Sequence, residues 1–128
     1  MNYISPTESQ IGAFVQSTHQ GSIVMLNLLK FKKAADYGDM TGAEMYAQYA
    51  KKTAPLIAKV GAKVIFLGKT HQILIGPEDK VWDKILIVEY PSRQALLQML
   101  QMDLYKENAK DRTAALEDSR LIVNSAVE

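Results

Sequence analysis

The sequence predicts an α+β domain whose core runs β-α-β-β-α-β, with an antiparallel sheet carrying both helices on one face. Three observations carry that prediction. Residues 22–32, SIVMLNLLKFK, form an apolar run with β-branched residues at its start, as a central strand does. Residues 42–60 repeat apolar side chains at helical spacing and stop at Gly61. Two more strand-like runs, 62–67 and 84–90, then precede another helical stretch and a short final strand. At 128 residues the chain is one domain by length, large enough to bury a core of its own.

The elements follow in chain order. Ser5-Pro6-Thr7-Glu8 has the form of a helix start, with Ser5 as N-cap, Pro6 as the first helical residue and Glu8 three after the cap. The short helix it opens runs to about Ser17, with Ile11, Phe14 and Val15 on one side. Residues 1–21 thus read as an N-terminal helical extension laid over a domain of residues 22–128. After the first strand, Thr41 or Gly42 can cap the main helix. Met45, Tyr46, Tyr49, Thr53, Leu56, Ile57 and Val60 fall on one arc of it, and Glu44, Gln48, Lys51, Lys52 and Lys59 on the other. Pro55 lies inside and is expected to kink or divide it.

The second strand centres on Val64-Ile65-Phe66-Leu67. Gly68 interrupts it, and residues 72–75 are expected to resume in extended form, with a bulge or a bent strand at the glycine. Trp82 leads into the third strand, 84–90, which ends at Pro91-Ser92. Ser92 caps a helix through Leu100, a second helical piece covers about 102–116, and 120–123 is the last strand. This is the split βαβ, ferredoxin-like arrangement. Strands one and three are apolar at both parities, so the sheet face without helices is too apolar to stay wet. A second copy of the chain is the economical cover, and a homodimer with two sheets face to face is expected.

Composition excludes several classes. Fifteen basic residues against fourteen acidic leave a net charge of +1 with no basic bank, so nucleic acid is not an expected partner. There is no cysteine, hence no disulfide, thiolate metal site or cysteine nucleophile. The first residues, MNYISPTESQ, lack the basic and apolar regions of a signal peptide, and no apolar run approaches membrane length. A cytoplasmic protein of bacterial type is expected, without a membrane partner.

The order of Asn27-Leu28-Leu29-Lys30-Phe31, Tyr46 to Tyr49 with Ala54-Pro55, Gly61-Ala62-Lys63-Val64, Trp82-Asp83 and Val88-Glu89-Tyr90-Pro91-Ser92 resembles the small bacterial domain-of-unknown-function family thirteen-thirty. Tyr105, Arg112 and the run Ala114 to Leu121 continue the likeness, which covers about residues 22–123. That family belongs to the dimeric α/β-barrel superfamily. The resemblance implies a dry pocket with a few placed polar groups, serving cofactor-free oxygenation, isomerisation or cyclisation.

Several residues can carry such chemistry. Asn27 is a buried amide in an apolar strand and needs a hydrogen-bond partner, from the protein or from a ligand. Lys30 follows it, pointing to the other face unless a bulge intervenes. Glu89 on the third strand is a candidate for the same cavity, as a proton acceptor raised by desolvation. Alternatively it is solvated, or paired with Lys30 or Arg120. His71 suits a general base at a cavity mouth, or is a plain exposed residue. Tyr46 and Tyr49 are core residues that become pocket hydroxyls if their helix borders a cavity. Arg120 either binds a carboxylate or ties strand to helix. Arg112, beside Asp111, reads as half of a solvated ion pair.

Trp82 with Asn27 and His71 resembles the Asn, Trp and His that heme-degrading monooxygenases of that superfamily place around heme. Their axial His lies on a helix, whereas neither histidine here falls in a core helix. No cofactor and no metal are therefore expected. The expected function is binding, or cofactor-independent conversion, of a small apolar or carboxylate-bearing molecule. The other possibility is a non-catalytic homodimer with a solid interior.

Overall fold

A computed structural model describes residues 2–79 and 81–127. The elements are α1 (Glu8–Gln16), β1 (Ile23–Phe31), α2 (Gly42–Lys59), β2 (Lys63–Lys69), β3 (Lys84–Tyr90), α3 (Arg93–Leu100), α4 (Asp103–Ala115) and β4 (Leu116–Asn124). They form one antiparallel sheet in the order β2-β3-β1-β4, the ferredoxin-like topology, with α1 as an addition in front. β1 alternates strictly: Ile23, Met25, Asn27 and Leu29 are buried beneath the helices, while Val24, Leu26 and Leu28 lie half-buried on the other face.

Caps explain why the helices begin where they do. Thr41 accepts from the Glu44 N–H and Glu44 returns a bond from the Thr41 N–H, closing a capping box at α2. Gly61 takes φ +77° just past α2, the left-handed conformation that ends helices. Ser92 caps α3 through the Ala95 N–H at 3.0 Å.

Four expectations are corrected. α1 starts two residues later than Ser5 implies, because Thr7 and Gln10 make the working capping box; Ser5 and Pro6 remain outside the helix. α2 passes through Pro55 as a single helix. Pro55 and Lys51 are both exposed, so the carbonyl that Pro55 leaves unbonded can be hydrated. Residues 72–75 form no strand, since β3 already begins at Lys84 opposite Lys69 and offers them no partner. β4 is longer than 120–123: Leu116 to Arg120 pair with β1 despite their polar content, through a register shift at Lys30/Phe31. The second strand does carry a bulge, but between Val64 and Phe66 rather than at Gly68, which pairs in regular register with Ile85.

The core has two parts. One gathers Ile23, Met25, Val88, Tyr90, Leu96 and Met99 with the end of α2. The other gathers Leu29, Met45, Tyr46, Tyr49 and the Ala114–Leu116 corner. Asn27 sits on β1 between Met25 and Leu29, at the seam between the two clusters. The helices are tied chiefly to each other there: Asn108 of α4 donates to the Thr53 hydroxyl, Lys52 meets Asp111 at 2.9 Å, and Tyr49 meets Tyr105. Among the described residues, no helix is long and apolar enough to cross a membrane.

Candidate functional site

Where the two core clusters part, the sheet and helices enclose a cavity of about 1170 Å³. Its floor is the helix-side face of the sheet, with Met25, Asn27, Leu86, Val88 and Tyr90. Its roof is α2 and α4, and α2 presents Ala47, Ala50 and Ala54, whose single methyls leave the space open. Tyr3 to Pro6 and the α1 residues Gln10, Ile11 and Phe14 complete the wall. The N-terminal extension therefore covers the cavity.

That cover is fastened at both ends. The Tyr3 N–H donates to Asp118 at 2.8 Å, Ser119 donates to the Tyr3 carbonyl, and Arg112 donates to the Ile4 carbonyl at 2.7 Å. At the far end the buried Arg93 donates to the carbonyls of Phe14, Val15 and His19. α1 has no basic residue in its own last turn, so Arg93 supplies the cation its C-terminus favours. No α1 residue is fully buried. Arg93→Met should therefore release the cover while leaving the sheet intact. Hydrogen exchange across residues 8–17 is expected to accelerate about tenfold or more, the effect of losing roughly 1.4 kcal/mol or more of hydrogen bonding. Unchanged protection there would mean that α1 is held by its apolar contacts alone.

The polar groups inside are few and mostly donors. The Asn27 amide nitrogen donates to the Leu86 carbonyl at 3.2 Å and the Met25 carbonyl at 3.4 Å. Both partners are acceptors, which fixes the amide orientation and leaves Oδ1 to the cavity. The Tyr49 and Tyr105 hydroxyls lie 3.1 Å apart. Burial pushes Tyr46 up to about 12, Tyr49 well above its ordinary value, and Tyr90 likewise upward. All three stay protonated near neutral pH and can donate. Among the described residues, the charged side chains in the wall are Lys84, Arg112 and Arg120, and no Asp or Glu lines it.

The model of the family described as "Domain of unknown function (DUF1330)" matches residues 34–126. The chain belongs to this family. It is similar over its full length to a protein of unknown function from Rhodopseudomonas palustris, with 39% identity, TM-score 0.95, and 100% of this chain and 99% of that chain covered. SnoaB, a cofactor-independent oxygenase from Streptomyces nogalater, shares the fold at 16% identity and TM-score 0.55, over 85% of this chain and 96% of that one. A dimeric ferredoxin-like protein of unknown function from Bacteroides fragilis does so at 13% identity and TM-score 0.55, over 84% and 98%. No curated protein matches.

Of the residues singled out in the sequence, Asn27, Tyr46, Tyr49, Arg112 and Arg120 lie in the cavity wall. Glu89 does not share it with Asn27. Asn27 pairs with Leu86 and Glu89 with Val24, so the two side chains leave the sheet on opposite faces. Glu89 instead lies 3.5 Å from Lys63 of β2. Lys30 is also on the face away from the helices, opposite Asp118. His71 is exposed in the connection between β2 and β3. Trp82 stacks on the Arg120 guanidinium, 5.1 Å from its ring centre, outside the cavity wall. Asn27, Trp82 and His71 are thus not gathered around one space.

Arg120 ties within its own strand, to Asp118 at 2.7 Å, rather than strand to helix. Burial raises the Asp118 carboxyl, but bonds from the Tyr3 N–H, Arg120 and the Ser119 N–H outweigh that and hold it below the usual carboxylate range. Arg112 and Asp111 are not a pair: Asp111 is taken by Lys52, Tyr37 and Gln48, while Arg112 turns to the cavity. Adjacent helical residues diverge by about 100°, so sequence adjacency argued against the pairing. Among the described residues, no group of three or more His, Cys, Asp or Glu is placed to hold a metal.

Proposed function

We propose that this protein binds a small, largely apolar molecule in the cavity between its sheet and helices, and converts it without a bound cofactor by oxygenation or isomerisation. The observation that carries the reading is the cavity itself. Its volume of about 1170 Å³ is somewhat above the range of about 300–1,000 Å³ common for ligand pockets, and its wall is apolar with a few convergent polar groups. The cofactor-independent oxygenase that shares the fold supports the reaction class by analogy only. Asn27 and Tyr49, with Tyr105 beside it, are the proposed binding groups, and Arg120 borders the site. A non-catalytic dimer would have no use for such a space.

We further propose a homodimer joined through the sheet faces that carry no helices. Val24, Leu26, Leu28, Ile85, Ile87, Phe66 and Ile122 make that face apolar. In the connection between β2 and β3, Leu74 and Ile75 are 86% and 94% exposed. Most of the cavity wall lies on the opposite side of the sheet; Arg120 and Ile122 of β4, which pair with Leu28 and Leu26, border both.

Native mass spectrometry of protein purified from its own host, against the same sample denatured, tests both proposals. A dimer carrying a reproducible extra mass supports both. A bare dimer that takes up no apolar probe removes the binding reading, and a monomer removes the face-to-face assembly. Asn27→Leu is expected to keep the dimer and weaken ligand binding about tenfold or more, the cost of roughly one buried hydrogen bond. Unchanged affinity in that variant would take Asn27 out of the site.

A further inference from the structure

We infer that the cavity selects an anionic head group, a carboxylate or an enolate on an apolar body, and that Arg112 is the residue that receives it. The inference rests on the binding reading above and adds the ligand's charge and its anchor.

Among the described residues, the wall carries three cations and no carboxylate. Arg120 is already compensated by Asp118. Lys84 lies over the Phe31 ring, 5.8 Å from its centre. Arg112 has no ion-pair partner among the described residues. A guanidinium has five N–H donors, and the bond described for Arg112 uses NH1 alone, toward the Ile4 carbonyl. The rest of the fork is free for an oxyanion, the geometry in which Arg binds carboxylates in pairs of parallel bonds. Tyr46 and Tyr49, each close enough for the Arg112 charge to act on its hydroxyl, line the same wall. A cluster of donors around an unpaired cation, in an apolar enclosure, calls for a ligand that brings acceptors and negative charge.

The test compares 1-pyrenebutyrate with 1-pyrenebutanol, which share an apolar body and differ in the head group, by fluorescence titration of the full chain. The carboxylate is expected to bind about tenfold tighter or more in the wild type. In Arg112→Gln that ratio should fall to near one, with the alcohol's affinity kept. Arg112→Met, which retains the unbranched stem, serves if the Gln variant does not fold. Lys106→Gln removes one exposed charge from the same helix, outside the cavity, and should leave the ratio alone. Equal binding of the two probes by the wild type overturns the inference and leaves the cavity reading standing. So does a preference that survives in a folded Arg112 variant, or one lost equally in Lys106→Gln. Failure of both probes to bind overturns the cavity reading, and the inference with it.

Discussion

Gly42→Ala is expected to cost about 3 kcal/mol or more of stability. A Cβ at Gly42 would stand 2.2 Å from the Lys32 carbonyl oxygen, 2.6 Å from that of Ala115 and 2.7 Å from the Lys32 nitrogen. All three are backbone atoms, so no rotamer change relieves the overlap. The site is the junction where α2 starts: the Gly42 N–H donates to the Lys32 carbonyl and the Lys32 N–H to the Ala115 carbonyl. Ala normally favours a helix over Gly by about 1 kcal/mol, so the sign of the change separates clash from propensity. Urea unfolding of both proteins, with the slope unchanged, reads the difference. A loss below about 1 kcal/mol would mean that the three segments can separate. Because α2 places Tyr46 and Tyr49, whatever folded variant remains should also bind ligand less tightly.

Ile87→Lys is expected to turn the proposed dimer into a monomer with its secondary structure preserved. Ile87 lies on the face without helices, opposite Leu26 on one side and Phe66 on the other, at the middle of the apolar patch. It is half-buried in the single chain, so a lysine there can reach water in the monomer. Sandwiched between two sheets, the same ammonium would be unpaired. Such a charge costs on the order of 2–5 kcal/mol, enough to weaken association at least about thirtyfold. Sedimentation velocity across a concentration series measures it. Wild-type association in the variant would move the interface elsewhere, with the protruding Leu74 and Ile75 as the next place to look.

The helices were legible wherever the local chemistry was unambiguous. Thr41 or Gly42, Gly61 and the Ser92 cap mark their element ends to within a residue, since each depends on atoms only a few positions apart. The start of α1 was misread because two overlapping patterns, Ser5 to Glu8 and Thr7 to Gln10, compete locally. β4 was read too short because Glu117-Asp118-Ser119 looks like loop. Pairing with β1 and the bonds of Asp118 and Ser119 to Tyr3 hold it extended instead.

The site was legible only in part. Asn27 stands out because an amide in an apolar strand requires a partner wherever it lies. Glu89 was correctly grouped with Ile85 and Ile87 but assigned to the wrong side of the sheet. Alternation within a strand is written in the sequence; the parity with which two strands meet is not. Arg112 was hidden by its neighbour Asp111, whose partners lie more than fifty residues away on α2 or further, in Tyr37.

By itself, then, the sequence determined the order of elements, the caps of α2 and α3, the apolar faces and the family, since all of these depend on spacing along the chain. Only the tertiary structure decided that α2 and α4 bond to each other and that an empty volume divides the core. It also decided that the N-terminal extension forms part of the wall of that volume and that, among the described residues, no carboxylate lines that wall with the cations. A cavity is a distance between elements that are remote in sequence, and no periodicity along the chain records it.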